Sequence, residues 1–331
     1  MLPLQAMAIT LTQIQEQLRP DLDEMNQIIK SALASNNDLA NSIVNTFLAN
    51  KGKMLRPIIT LLSAKLFGGI NRKSLLGAAA VEILHNASLI HDDVIDAAQE
   101  RRGVPTINSV WSNHVAVLVG DFFVTGALRC GIETGDGRIM RVLADMGRDL
   151  SLGEMQQVST ARNHNIDETT YMEIIRSKTA SLFECCARLG GYANDAPQTA
   201  IDELGRFARL LGICFQIKDD TFDYYNDPIV GKPTGNDLRE GKMTLPLIYA
   251  LSRTDLPDHD EMLALVNKES LTSEDIDRLI EFAKRAGGID YAYETMERLR
   301  DEANDVLSPF SPDETVDQLR EIFDYVIARK L

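Results

Sequence analysis

Apolar residues recur along nearly the whole chain at spacings of three and four, the period of an amphipathic helix. Alternating β-branched residues between turn residues, the mark of strands, are scarce. The pattern predicts helices at roughly 10–35, 38–50, 54–67, 72–98, 108–132, 137–162, 167–191, 198–224, 242–253, 273–287, 288–306 and 313–329. The breaks coincide with Gly and Pro, as at Gly68-Gly69, Gly103-Val104-Pro105, Gly135-Asp136-Gly137, Asn194-Asp195-Ala196-Pro197 and Gly231-Lys232-Pro233. No long Ser/Gly or charged linker divides the pattern, so one all-α domain over residues 1–331 is the simplest organisation. No stretch reaches 18 uninterrupted apolar residues, and no transmembrane segment is expected. Met1–Thr10 is apolar without a basic flank, so no targeting segment is expected either.

One pentapeptide departs from this pattern, and it occurs twice. Asp92-Asp93-Val94-Ile95-Asp96 ends one apolar run and Asp219-Asp220-Thr221-Phe222-Asp223 ends another. On a helix, positions i and i+4 stack on one face and i+1 lies about 100° round it. Each copy is therefore expected to project three carboxylates into one sector. Such groups repel one another and take up protons unless cations lie between them. On an apolar helix they are costly unless paired or bound to metal. Mg²⁺ is commonly shared between one or two carboxylates and substrate phosphates. The repeated DDxxD thus points to a phosphorylated substrate bridged by Mg²⁺ to two acidic helices.

Composition narrows the partner. Of 331 residues, 44% are apolar and 25% charged, ordinary for a soluble globular protein. The 49 Asp+Glu outnumber the 34 Lys+Arg, and the net charge of −15 disfavours nucleic acid and anionic membrane. Cys130, Cys185, Cys186 and Cys214 lack metal-ligand spacing and read as buried apolar residues in a reducing cytoplasm.

In so acidic a chain the positions of the cations are informative. Lys53 and Arg56 lie three apart beside Pro57, at the start of an apolar run, where a helix N-terminus and basic side chains together suit phosphate. Arg101-Arg102 begins five residues after Asp96, and arginine presents a fork that matches phosphate. His85 lies two helical turns before Asp92, on roughly the same face. Lys178-Thr179 falls in a helix expected to be free of bends. Gln216 precedes Asp219 by three residues, and Glu154 and Gln157 have similar hydrogen-bonding character. Lys232 and Lys242 occupy the second of two Gly-rich loops, 97–103 and 224–246, each following an aspartate motif. Both loops are expected to be irregular and mobile, suited to excluding water from a reactive site.

Taken in order, these motifs resemble the trans-isoprenyl diphosphate synthases, or polyprenyl synthetases, and in particular long-chain types such as octaprenyl, heptaprenyl and solanesyl diphosphate synthases. The matching residues are Gly52-Lys53-x-x-Arg56-Pro57, His85 with Ser88 to Asp96, Arg101-Arg102-Gly103, Gly120-Asp121, Gly153-Glu154-x-x-Gln157 and Lys178-Thr179. Phe215-Gln216-x-x-Asp219-Asp220-x-x-Asp223, Gly231-Lys232, Asp237 and Gly241-Lys242-x-Thr244-x-Pro246 complete the series. The resemblance covers about residues 50–250. It implies an isoprenoid synthase fold, antiparallel helices around a deep central cavity, in a homodimer. It implies a transferase that uses two or three Mg²⁺ ions to join isopentenyl diphosphate to an allylic diphosphate. Lys53, Arg56, His85 and Arg102 would hold isopentenyl diphosphate. Asp92, Asp96 and Asp219 would ligate Mg²⁺, supported by Asp93, Asp220 and Asp223. Arg101, Lys178, Thr179, Gln216, Lys232 and Lys242 would hold the allylic diphosphate, with Lys178 and Lys232 acting in catalysis beside the aspartates.

Product length would be set behind the first motif. Ser88, Ala87, Leu84 and Val81 are expected on the face below Asp92. Short-chain members carry aromatics just before the motif, whereas Ala87 and Ser88 are small, so a tunnel would continue to Gly77, about 22 Å away. Phe122 and Phe123 are candidates for its floor. The expected product is a long-chain all-trans polyprenyl diphosphate, a quinone side-chain precursor released through transient membrane contact. A short-chain farnesyl or geranylgeranyl synthase and a non-catalytic subunit of the same fold are the alternatives. A terpene cyclase would lack the second DDxxD and the Lys53, Arg56 and His85 set.

Overall fold

The computed structural model describes residues 10–49, 52–101, 103–163, 167–225, 234–268, 270–311 and 313–329. In chain order the elements are α1 Leu11–Gln17, α2 Arg19–Ala32, α3 Asp38–Ala49, α4 Leu55–Leu66 and α5 Arg72–Ile95. A short ribbon, β1 Glu100–Arg101 and β2 Val104–Pro105, leads to α6 Ile107–Val110, α7 Asn113–Glu133 and α8 Gly137–Asn163. Then come α9 Glu168–Ile175, a π-helical turn Arg176–Ala180, α10 Ser181–Ala193 and α11 Gln198–Phe222. The remainder is α12 Asn236–Arg239, α13 Leu245–Ser252, α14 His259–Val266, α15 Ser273–Arg285, α16 Gly288–Leu307 and α17 Glu314–Ala328.

The all-α expectation holds, since β1 and β2 are the only strands among the described residues. Four local differences have physical causes. The first helix breaks at Leu18 because Pro20 has no N–H to continue the ladder. The 108–132 helix divides because Thr106 and Ser112 each cap a separate start, of α6 and α7. Helix α14 is short and opens with Asp260 and Glu261, so its apolar period is too brief to register. The turn Arg176–Ala180 is π-helical where a bend-free α-helix is expected, and π turns of this kind often mark functional sites.

The contacts cluster into two compact units. The first comprises Met1–Gly147, Leu182–Ala208 and Phe310–Glu321. Its central helix is α5, packed against α7, α4 and α2. Asn71 caps α5 through Ser74 in a reciprocal capping box. The small residues Gly77 to Ala80 are all buried on this helix, and a Cβ on Gly77 would make only ordinary contact with Leu189, at 3.5 Å. At Gly120 a Cβ would stand 2.2 Å from the His91 ring, which would have to turn aside, whereas at Gly190 it would stand 2.5 Å from the Thr60 carbonyl oxygen, which cannot. Helix α7 is long and apolar enough to cross a membrane by length and composition. Its Ala116, Val119, Phe123 and Ala127 are buried within the unit, whereas Leu118, Leu128 and Ile132 are exposed.

The second unit comprises Arg148–Ser181, Arg209–Pro309 and Ile322–Leu331. Here α13 packs on both α15 and α16. Leu247, Leu251, Leu279, Phe282 and Ile289 belong to one buried cluster. Each such apolar side chain contributes about 1.5–3 kcal/mol by leaving water. Gly288 carries α16 against the backbone of α13, since a Cβ there would meet the Pro246 carbonyl oxygen at 2.1 Å.

Candidate active site

In the first unit, α5 delivers the first acidic motif to its C-terminal end. Ile95 is its last residue, Asp96 is the cap, and Ala97 turns the chain with φ +50°. The amide of Asp96 still donates to the Asp92 carbonyl at 2.8 Å, so these two residues stay one turn apart. Asp93 turns away from them into the protein, buried, and accepts a 2.7 Å bond from Arg101 Nε. Arg101 reaches it because 100–105 form a hairpin, with Arg101 opposite Val104 and Gly103 at φ +73°. Thr106 Oγ1 donates to the Ala98 carbonyl at 2.7 Å and Asn108 donates to the carbonyls of Asp93 and Ala98. The loop after the first motif is thus a hydrogen-bonded ribbon rather than irregular backbone. Its Arg101 is engaged with an aspartate of the motif itself.

The basic residues of this unit fall at the predicted helix start. Met54, left-handed at φ 57°, caps α4, and Arg56 and Pro57 lie in its first turn. Gln15 holds the Lys53 carbonyl at 2.9 Å. The Arg56 guanidinium lies 5.1 Å from the Phe183 ring centroid, a cation–π contact that aims its fork. His85, Ser88 and Asp92 are half-buried along α5.

The predicted tunnel wall is only partly borne by α5. Asp92, Ser88 and Leu84 retain solvent access, but Gly77 to Val81 are fully packed. The open stripe therefore runs about 12 Å, not 22 Å. Ala87 is not on it: five residues is about 140° round a helix, and Ala87 is buried beside Ile83 and Ile90 on another face. Phe123 is wholly buried with its ring edge-on to Phe47 at 5.5 Å.

In the second unit, α11 carries the second motif, and a cleft of about 140 Å³ opens beside it. Residues singled out in the sequence meet at this cleft, among them Lys178, Thr179, Gln216, Asp220 and Lys242, with Gln157 and Asp237 beside them. Lys178 Nζ contacts Glu154 Oε2 at 2.5 Å and donates to Gln157 Oε1 at 2.7 Å. Thr179 Oγ1 donates to Gln216 Oε1 at 2.6 Å, and Gln216 Nε2 donates to Asp220 Oδ1 at 2.7 Å. Helix α8 can press on the π turn because position 153 is glycine; a Cβ would lie 2.7 Å from the Lys178 amide. The π turn thus brings Lys178 and Thr179 to the cleft.

The three aspartates of this motif are held by different partners. Asp219 accepts a 2.5 Å bond from Arg329 Nη2. Asp220 is buried and accepts from Tyr171 Oη at 2.6 Å as well as from Gln216. Burial pushes the Asp220 carboxyl up to about 7, against the two hydrogen bonds and with the repulsion of Asp219 and Asp223. Asp223 accepts the amides of Asn236 and Asp237, both at 3.0 Å, and so sits at the start of α12. Burial raises it, while those amides pull the other way. Burial also lifts Asp237 well above the carboxylate range, reinforced by Asp220 and Asp223.

The expectation of three carboxylates in one sector therefore needs correction at both copies. Asp93 is turned to Arg101, Asp220 to Tyr171, and Asp223 to backbone amides. Among the described residues no three His, Cys, Asp or Glu side chains converge as a metal cage. In the first unit Asp92 is half-buried and Asp96 exposed; in the second, 40% of the Asp219 side chain is exposed, so each motif offers only a sparse oxygen set. Sparse sets fit Mg²⁺, which keeps its waters and draws other ligands from phosphate. Arg102 and Lys232 lie outside the described residues. Tyr171 and Arg329 belong to no motif, and no spacing in the sequence marks them.

The profile of the polyprenyl synthetase family matches residues 37–283. The octaprenyl diphosphate synthase of Haemophilus influenzae is 34% identical over 302 residues, 89% of this chain and 89% of that protein. Heptaprenyl diphosphate synthase component 2 of Bacillus subtilis is 32% identical over 315 residues, 95% of this chain and 89% of that protein. The crystal structure of a polyprenyl synthase from Caulobacter crescentus CB15, complexed with calcium and isoprenyl diphosphate, superposes with a TM-score of 0.91 at 30% identity, over 98% of this chain and 99% of that one. By its sequence and its all-α isoprenoid synthase fold, the chain belongs to the polyprenyl synthetase family.

Proposed function

We propose that the chain is a Mg²⁺-dependent, long-chain all-trans polyprenyl diphosphate synthase. It is a prenyltransferase that adds isopentenyl diphosphate units to an allylic diphosphate. The observation that carries the reading is the cleft of the second unit, where Lys178, Thr179, Gln216 and Lys242 gather beside the second acidic motif. Likeness to octaprenyl and heptaprenyl synthases supports the long product.

The chemistry follows from the side chains. The allylic C–O bond breaks and its electron pair leaves on the diphosphate. The double bond of isopentenyl diphosphate attacks the resulting carbocation, and a proton then leaves for the released diphosphate as the new double bond forms. Lys178, fixed by Glu154 and Gln157, presents a positioned ammonium to the departing oxygens. In the second unit Lys242, Lys232, Thr179 and Gln216 would hold the same diphosphate; in the first, Lys53, Arg56, His85 and Arg102 would hold that of isopentenyl diphosphate, while Arg101, a ligand of the allylic diphosphate by family resemblance, is paired with Asp93. Asp92 and Asp96 in the first unit and Asp219 in the second would hold the two or three Mg²⁺ ions, which would supply charge stabilisation to the leaving group. Asp93, Asp220 and Asp223 support these ligands, each through the partner described above. The apolar chain grows past Ser88 and Leu84 on α5.

The protein acts as a homodimer in the cytoplasm. Exposed Leu118, Leu128 and Ile132 along α7 support a self-association surface, and four free, buried cysteines suit a reducing compartment. The product serves as a quinone side-chain precursor, delivered through transient membrane contact. A second reading, a catalytic subunit that needs an unlike partner, is favoured by the Bacillus subtilis relative being named a component. One assay separates the two. The purified chain alone, given farnesyl diphosphate, isopentenyl diphosphate and Mg²⁺, is expected to yield a product longer than geranylgeranyl diphosphate by mass spectrometry. Inactivity alone with activity in the presence of a second subunit would select the component reading. Ser88→Phe is expected to shorten the product, and an unchanged length would remove Ser88 from the tunnel.

A further inference from the structure

Arg329 stands 110 residues from Asp219 in sequence and makes more contacts than a surface arginine needs. Its Nη2 donates to Asp219 Oδ1 at 2.5 Å and to the Phe215 carbonyl at 3.0 Å, and its Nε donates to the Val326 carbonyl at 3.3 Å. The guanidinium lies 4.1 Å from the Phe215 ring centroid and 5.5 Å from that of Phe222. Only 10% of the side chain reaches solvent. A second cation is built in nearby: Lys218, itself buried, donates to Tyr293 Oη at 2.7 Å and sits over the Tyr293 and Phe222 rings. One helix, α11, thus supplies a carboxylate whose counter-charge is a fixed part of the fold.

We propose that Arg329 is an internal counter-ion that competes with the divalent cation for Asp219, making ion binding at the second motif conditional on the substrate's diphosphate. This rests on the reading of Asp219 as a metal ligand. A dication approaching Asp219 meets a positive charge that already satisfies one carboxylate oxygen. Like charges at short range repel strongly when one of them is withdrawn from water. Arg329 cannot simply swing away, because the Phe215 carbonyl and two rings hold it independently of Asp219. An incoming diphosphate brings enough negative charge to reverse the balance. When a condensation releases its diphosphate, the balance tips back and the ion loosens. Asp219 is not left uncompensated, since Arg329 remains in place. A synthase that expels one diphosphate per added unit gains a ready route for clearing it. Arg329 is in this sense a positioning residue, acting through Asp219.

The test is Mn²⁺ titration of the full chain, followed by paramagnetic resonance of the free ion, with and without inorganic diphosphate. The site of interest is the one lost in Asp219→Asn. Without diphosphate, Arg329→Gln is expected to bind Mn²⁺ there about tenfold more tightly than the parent. Arg329→Lys keeps the charge and is expected to stay near the parent. With diphosphate present the difference should narrow. Unchanged or weaker binding in Arg329→Gln, or equal tightening in Arg329→Lys, would overturn the inference. Should the Gln variant melt early, Arg329→Met, whose stem packs on Phe215, takes its place. If Asp219→Asn leaves Mn²⁺ binding untouched, the metal-ligand reading fails first. If Asp219→Asn weakens binding while Arg329→Gln does not tighten it, the counter-ion inference fails alone.

Discussion

The two DDxxD motifs share their aspartate spacing and differ in their chemistry. In the first, the buried middle aspartate, Asp93, is answered by a cation, Arg101, reaching back from a hairpin. In the second, the equivalent Asp220 is answered by neutral donors, Tyr171 and Gln216, and its carboxyl rises to about 7. The cation of the second copy is spent instead on its first aspartate, where Arg329 takes Asp219. The third aspartates differ too. Asp96 caps a helix that is ending, and Asp223 opens one that is beginning. Repetition of a motif therefore repeats a set of donors, not a set of roles. The local fold decides which carboxylates face solvent and ion and which are structural.

The sharpest test of that division compares the outward aspartates. Asp92→Ala and Asp219→Ala are each expected to lower kcat about 10³-fold in a condensation assay with saturating substrates, since each would remove a ligand for the ion that stabilises the leaving group. Raising Mg²⁺ should recover part of the loss in the Asp92 variant and less in the Asp219 variant, where Arg329 is left without its carboxylate and still opposes the ion. Equal and complete rescue of both would mean that the two motifs do not differ in the way their partners suggest.

The inward aspartates should respond in stability. Arg101→Leu leaves Asp93 as a buried charge without its cation, and the fold is expected to lose about 2–3 kcal/mol by urea denaturation. The loss falls below that of a fully buried pair because a third of the Arg101 side chain is in contact with solvent. Arg101→Leu combined with Asp93→Leu should recover most of it, because the pair and not the packing carries the cost. A double variant as unstable as the single would show that the hairpin, rather than the ion pair, is what Arg101 supports.

Asp220 should set a pH dependence of opposite character. Its unfolded value is near 3.8 and its folded value is about 7, so between these limits the folded state holds the proton that the unfolded state has lost. Stability of the metal-free protein is then expected to fall as pH rises from 5 to 7, by roughly 2 kcal/mol in total. Asp220→Asn should flatten that slope and raise the melting temperature at pH 7. An unchanged slope would place the titrating group elsewhere, with Asp237, also pushed up by burial, the first to examine.

Much of this could be read from the chain, and the exceptions have a common cause. The helices from α3 to α11 lie within a few residues of the periodic pattern, because each buries a continuous apolar stripe. Lys178, Thr179, Gln216 and Lys242 were identifiable by type and position, and they do share one cleft. What escaped was anything decided by tertiary contact. The π turn at Arg176–Ala180 has no sequence period of its own; it lies where α8 closes in at Gly153. Ala87 looked adjacent to Asp92 by count, yet 140° of rotation puts it on a packed face. Tyr171 and Arg329 reach their aspartates across 49 and 110 residues, a separation at which no local spacing rule operates.

The smallest expected effect isolates the neutral half of the comparison. Tyr171 is buried, and its hydroxyl donates to Asp220 Oδ2 at 2.6 Å. Tyr171→Phe removes that single donor and leaves the ring in place. The lost hydrogen bond should cost about 1 kcal/mol, less at low pH, where a protonated Asp220 no longer needs a donor on both oxygens. Removing it should also push the Asp220 carboxyl further up, since this bond is the first of the influences holding it down. The pH at which stability levels off therefore moves upward in the variant, whereas Arg101→Leu in the first motif has no such signature. Following the melting temperature of Tyr171→Phe between pH 5 and pH 8 decides the matter. A uniform loss across that range would mean that the Tyr171 hydroxyl serves both protonation states of Asp220 alike, and the contrast between a cation-answered and a donor-answered aspartate would rest on Gln216 alone.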